Sequence, residues 1–230
     1  MYKICYLFLL YLMYAFLGWV VEVVNSYIQH KRFINRGFMI GPYCPIYGTG
    51  VLLIIFLLKD YTDNYLVLFI LSMTVCMVVE YLTSLLMELL FNARWWDYSN
   101  RKFNINGRVC LETAIPFGLC GMLIMYVINP IFVKLLDKGS EKFIIILGII
   151  LMILFFTDLI VSFLVVLKYR KAGVENYKDD TEEMNKKVHD YLVSHSYLTK
   201  RFVESFPNAK LKVEKFKKLY EKRKKEIMKK

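Results

Sequence analysis

Five apolar runs dominate the chain, at positions 4–24, 45–58, 65–91, 111–133 and 143–167. A helix needs about 20 predominantly apolar residues to cross about 30 Å of hydrocarbon. Only helices and closed barrels keep every backbone donor and acceptor satisfied there. The chain is therefore expected to be an all-α polytopic membrane protein with about five transmembrane helices. The second run holds about 14 residues, and it completes a crossing only if part of the preceding "MIGPYC" enters the membrane with it. The first run does not read as a cleavable leader. It lacks a small-residue cleavage motif, carries Glu22 and is followed by further spans.

Charge patterning orients these spans. Although 57% of the 230 residues are hydrophobic, the formal net charge is +11, and the charges are segregated. With five spans, one face collects five Lys and Arg side chains and the other twenty-six, nineteen of them from position 168 onward. Among the short connections alone the count is seven against five. By the positive-inside rule the N-terminus is expected outside, with the first loop, the third loop and the C-terminus cytoplasmic.

The chain divides on this reading into a transmembrane domain at 1–168 and a basic cytoplasmic tail at 169–230. In the tail Met184, Val188, Tyr191, His195, Leu198, Phe202 and Phe206 recur every three or four residues. Pro207 and Asn208 interrupt them, and Val213, Phe216 and Tyr220 resume the pattern. An amphipathic helical hairpin is expected. Nineteen basic against ten acidic side chains from Lys168 onward favour anionic lipid as the partner. No nucleic acid is expected, because the aromatic residues do not form a base-stacking pattern.

Catalytic and metal-binding signatures are absent from the sequence. The five cysteines form no CxxC pair, the three histidines are scattered, and no HExxH, GxSxG or GxxxxGK[ST] occurs. No cofactor and no metal site are expected, and any ATP would have to be used by a separate ATPase subunit. A homo-oligomer is compatible with everything in the sequence.

Two loops on the cytoplasmic side carry unusual backbone chemistry. "FINRGFMIGPYCPIYGTG" holds Asn35, Gly37, Gly41, Pro42, Pro45 and Gly48. Gly tolerates left-handed backbone and Pro removes a donor, which suits a segment grazing the membrane under the cover of protein. "NARWWDYSNRKFNINGRVCLE" holds Trp95, Trp96 and Asp97, then Asn106-Gly107, a tight-turn signal. The plainer reading is two ordinary polar connectors. Sliding the chain against itself by 71 positions aligns Lys31 with Lys102, Asn35 with Asn106, Pro45 with Pro116 and Gly50 with Gly121. A parallel internal repeat of spans 1–2 and 3–4 is expected from this match.

Carboxylates supply the candidate site. Placing Asp near the centre of a membrane helix costs on the order of 2.5 to 3.5 kcal/mol on insertion scales, so such groups should face protein or water. Glu80 lies well inside the third span, with Ser84 and Glu88 one and two turns on along the same face, and Asp158 lies inside the fifth. Glu22 and Glu112 stand at cytoplasmic ends, with Arg36, Arg94 and Arg108 in the loops on that side. A polar vestibule can be drawn from these nine residues. The alternative places Glu22, Glu88 and Glu112 among the lipid headgroups and Trp19, Trp95 and Trp96 in an aromatic belt.

The blocks "GWVVE", "NRGF", "GPYCPIYGTG", "RWWDYS" and "NINGRVCLE" resemble the membrane family described as putative ABC-transporter type IV, or CmpB-like, over roughly residues 4–167. The resemblance implies a permease-type component of the bacterial inner membrane and carries no established substrate or catalytic residues. Three function classes follow. The first is a permease component of a transport system, and the second a membrane scaffold or sensory protein acting through its tail. The third, an enzyme acting on lipid headgroups, would need a nucleophile or metal set.

Overall fold

A computed structural model describes residues 1–91, 93–175, 197–205 and 210–211. Its helices are α1 (Tyr2–His30), α2 (Pro45–Leu58), α3 (Tyr65–Phe91), α4 (Leu111–Leu123), α5 (Asn129–Leu136), α6 (Glu141–Glu175) and α7 (Tyr197–Ser205). Four two-residue strands accompany them among the described residues: β1 (Ala93–Arg94), β2 (Asn104–Ile105), β3 (Val109–Cys110) and β4 (Lys210–Leu211). The all-α polytopic expectation holds.

Among the described residues four helical stretches are long and apolar enough to cross a membrane, namely Tyr2–His30, Tyr65–Phe91, Leu111–Leu136 and Glu141–Leu167. The second apolar run forms a helix of 14 residues, about 21 Å at the usual rise and so short of a bilayer core. Pro45 opens it at the first turn, where its missing N–H is no loss. Cys44 precedes it in extended conformation.

The fourth run is not one regular helix. Between α4 and α5 the backbone passes through a π turn at Ile124–Ile128. Pro130, within the first two positions of α5, has no N–H to donate, and its ring crowds the carbonyl four residues earlier, inside that turn. Local widening of the helix relieves the clash. Pro116 lies inside α4, whereas Pro45, its partner at the 71-residue offset, starts α2. The two prolines therefore do different work.

The contact pattern divides the chain into two units. The larger comprises Met1–Thr83 with Asp97–Phe163. Its core joins Cys5, Leu9, Leu10 and Tyr14 of α1 to Val51 of α2, Ile124, Leu136 and Ile144. Glycines let helices approach within it: a Cβ on Gly48 would meet Tyr11, one on Gly121 would meet Ser72, and one on Gly148 would meet Cys5. Such contacts matter in lipid, where close packing and hydrogen bonds, not water exclusion, hold helices together. Large apolar side chains such as Leu119, Ile146, Ile153 and Ile160 face outward, as a helix surrounded by acyl chains requires.

The second unit comprises Ser84–Trp96 with the described residues from Leu164 onward. Here β1 pairs antiparallel with β4, Ala93 opposite Leu211 and Arg94 opposite Lys210. α6 runs on as helix past Leu167, where the apolar run ends, to Glu175. Of the expected tail hairpin, the piece that α7 represents is described. The remainder, including Pro207, Asn208 and the pattern from Val213, lies outside the described residues.

Candidate functional site

The first loop is built around two side chains. Asn35 accepts a hydrogen bond from the Trp19 indole N–H at 2.7 Å and donates through Nδ2 to the Ile40 carbonyl at 2.8 Å, tying α1 to the loop. Asp158 of α6 takes the other end. Its Oδ1 accepts from the Ile40 N–H at 3.0 Å and the Ser162 hydroxyl at 2.9 Å. Its Oδ2 accepts from the Gly41 N–H and the Tyr43 phenol, both at 2.7 Å. The Cys44 N–H donates to the carbonyl of Ala15, halfway along α1, at 2.9 Å. Every one of these donors is thereby served by an acceptor within the protein. Gly37, at φ 113, makes the bend that a side chain would strain. The segment "MIGPYC" thus lies against two membrane helices, with Met39 and Cys44 buried.

The second loop hangs on α3. Asn104 and Ile105 pair with Cys110 and Val109 across a turn whose central residues, Asn106 and Gly107, have φ of 54 and 67. These left-handed positions are the ones the mirror-image hairpin turn demands. Asn106 donates to the Tyr81 hydroxyl at 2.9 Å, and the Arg108 guanidinium lies 5.6 Å from the centre of the Tyr81 ring. Buried Arg108 is therefore stabilised in part by that ring face.

Between the loops four groups converge. The Tyr47 hydroxyl of α2 donates to Glu22 Oε1 at 2.7 Å, and Arg36 Nε stands 4.0 Å from Glu22 Oε2. Gly18 makes room for this phenol, since a Cβ there would lie 2.2 Å from the Tyr47 ring. On α3, Glu80 is 8% exposed. Its Oε1 accepts from the Tyr98 hydroxyl at 3.1 Å, while its Oε2 has no hydrogen-bond partner among the described residues. Glu22 and Glu80 lie within electrostatic range of one another. Burial pushes the Tyr98 phenol well above its ordinary range, and the neighbouring Glu80 charge pushes it further, so Tyr98 stays a proton donor to the carboxylate.

Other expected members of the vestibule have partners of their own. Glu112, 63% exposed, is paired with Arg101 at 3.2 Å. Glu88 and Arg94 pair with each other at 3.2 Å within the second unit, which also holds the buried Ser84. There Trp95 is buried with its ring edge-on to Phe91, and Trp96 is half-buried. Asp97 accepts from the Ser99 N–H at 3.0 Å and shapes the start of the second loop. Asp158 serves the first loop, and Glu22, Arg36 and Glu80 are the sequence candidates that meet in the cluster.

Sequence reasoning did not single out the phenols. Tyr43, Tyr47 and Tyr98 each donate to a carboxylate, and all three sit inside the motif blocks. A buried carboxylate needs donors, but the blocks also hold Trp, Asn, Arg, Ser and Thr side chains that could donate, so the sequence did not mark the phenols out.

A family model with the description Putative ABC-transporter type IV matches residues 9–163. The chain belongs to this family. No curated protein and no solved structure matches it. The stretch matched by the ABC-transporter type IV model contains Glu22, Tyr47, Glu80 and Tyr98 together with the Asp158 anchor. Both loops also fall inside it, whereas α7 and β4 lie beyond it.

Proposed function

We propose that this chain is a permease-type component of a transport system in the cytoplasmic membrane of a bacterium, working through the cluster of Glu22, Tyr47, Glu80 and Tyr98. One observation carries the reading: among the described residues no donor meets a buried carboxylate oxygen of Glu80, which lies within electrostatic range of the Glu22 carboxylate of α1. A structural ion pair would saturate such an oxygen, because an unmet buried charge costs several kcal/mol. A site that takes up a proton, a cation or a polar substrate keeps it available. Membership of an ABC-transporter family adds support, and the lack of a nucleotide-binding motif in the sequence assigns ATP hydrolysis to a separate subunit.

The experiment is purification of the tagged full chain from native membranes, followed by an ATP hydrolysis assay. A co-purifying subunit that turns over nucleotide is the expected result. A kinase or other soluble partner without such turnover overturns the permease reading and favours a scaffold. That second reading has its own support in β4, which brings the tail back to the residues just after α3.

Orientation belongs to the same proposal. In a background without reactive native cysteines, Tyr61→Cys and Arg101→Cys are expected to label from opposite sides of sealed membranes, position 101 from the cytoplasm. Labelling of both from outside would sink this orientation.

A further inference from the structure

The tip of the second loop takes no part in the polar cluster. Phe103 is held at φ 51, in the left-handed region that bulky side chains avoid, and its ring is 79% exposed. A strained backbone that turns an aromatic ring outward calls for something to receive the ring. Lys102 beside it is exposed and makes no hydrogen bond or ion pair among the described residues. Arg101 is engaged with both carboxylate oxygens of Glu112, each at 3.2 Å, so the two charges offset one another and the Lys102 charge is left over.

A cleft separates this tip from the first turns of α4. Arg101, Lys102 and Phe103 form one wall, and Leu111, Glu112 and Ile115 form the other. Leu111 begins the stretch Leu111–Leu136 that is long and apolar enough to cross the membrane, so the cleft opens at the bilayer boundary. Leu111, Ile115 and Leu119 follow at four-residue spacing and are all exposed. They make an apolar stripe running from the cleft into the hydrocarbon.

We propose that this cleft binds an anionic phospholipid. The phosphate lies over Lys102, the first acyl methylenes run along Leu111 and Ile115, and Phe103 inserts beside them as an interfacial anchor. A free phosphate would use the surplus cation but neither the ring nor the stripe. A zwitterionic lipid would leave the surplus cation without a net negative partner. The site uses no residue of the basic tail, and its occupancy does not depend on the transport reading.

The test must report from the cleft itself, because the tail also attracts anionic lipid. The full chain carrying Phe103→Trp is placed in vesicles of mixed phosphatidylglycerol and phosphatidylcholine, with one lipid brominated at a time. Quenching at position 103 is taken as the difference from the wild-type chain. Brominated phosphatidylglycerol is expected to quench more strongly than brominated phosphatidylcholine at equal mole fraction. Adding Lys102→Gln should reduce that preference by about fivefold, the effect of one basic side chain at a membrane surface. Equal quenching by the two lipids, or none by either, overturns the proposal. A preference that survives Lys102→Gln assigns the selectivity elsewhere and also overturns it. Loss of the preference on adding inorganic phosphate identifies a soluble anion as the ligand instead.

Discussion

Asp158→Ala should lower the thermal midpoint of the detergent-solubilised protein by about 10 °C or more. The carboxylate accepts four hydrogen bonds, two of them from backbone N–H groups of the first loop. Alanine leaves Ile40 N–H, Gly41 N–H and the Tyr43 hydroxyl without that acceptor, and an unmet buried donor costs about 1–3 kcal/mol. Allowing for some re-solvation, a total of about 3–5 kcal/mol is reasonable, and a chain of this size loses roughly 2–4 °C per kcal/mol. Asp158→Asn should be nearly as harmful, because one of its two terminal groups presents N–H donors to donors. The loop would lose its hold on α6 and, with it, the placement of Tyr43 and the entry into α2. A midpoint within about 2 °C of wild type, less than one such hydrogen bond is worth, would remove Asp158 from the architecture. It would then return to the list of candidate transport groups.

The architecture was legible because of length and polarity. Apolar runs of bilayer length leave helices as the only solution, and the family blocks marked where the loops would carry structure. The Asn106-Gly107 turn could also be read, since two adjacent left-handed residues are needed there and Asn and Gly accept them most readily. The partners of each carboxylate were harder. On a helix the face that Glu80, Ser84 and Glu88 share follows from spacing alone, but spacing cannot say that Glu80 would meet Tyr98 and Glu88 would meet Arg94. Those partnerships depend on how an 18-residue and a six-residue excursion of the chain fold back. Asp158 is the clearest case. Three of its four partners lie 115 to 118 residues away in sequence, and two of those are backbone N–H groups that carry no residue signature. The π turn before α5 was readable in principle from Pro130, whose demand on the preceding turn is local. The pairing of β4 with β1 had no such signal, because a two-residue strand is too short for alternation to register.

Glu80→Gln is expected to abolish ATP-coupled activity of the co-purified complex while leaving the fold intact. The amide oxygen can still accept from Tyr98, and the amide nitrogen replaces an oxygen that had no partner to lose. Removing the charge of buried Glu80 relieves its desolvation and its repulsion from the half-exposed Glu22, so thermal stability should hold or rise slightly. A structural ion pair behaves oppositely: neutralising one member leaves the other buried and unmet, at a cost of about 3–5 kcal/mol. Tyr98→Phe provides the complementary measurement. It strips Glu80 of its observed donor while keeping the charge, and should destabilise by about 1–3 kcal/mol. A titratable working group therefore gives loss of activity without loss of stability in the first variant and loss of stability in the second. If Glu80→Gln leaves both stability and nucleotide turnover unchanged, the carboxylate cluster is not the working site. The tail, which β4 brings back to the end of α3, then becomes the part of the chain through which it acts.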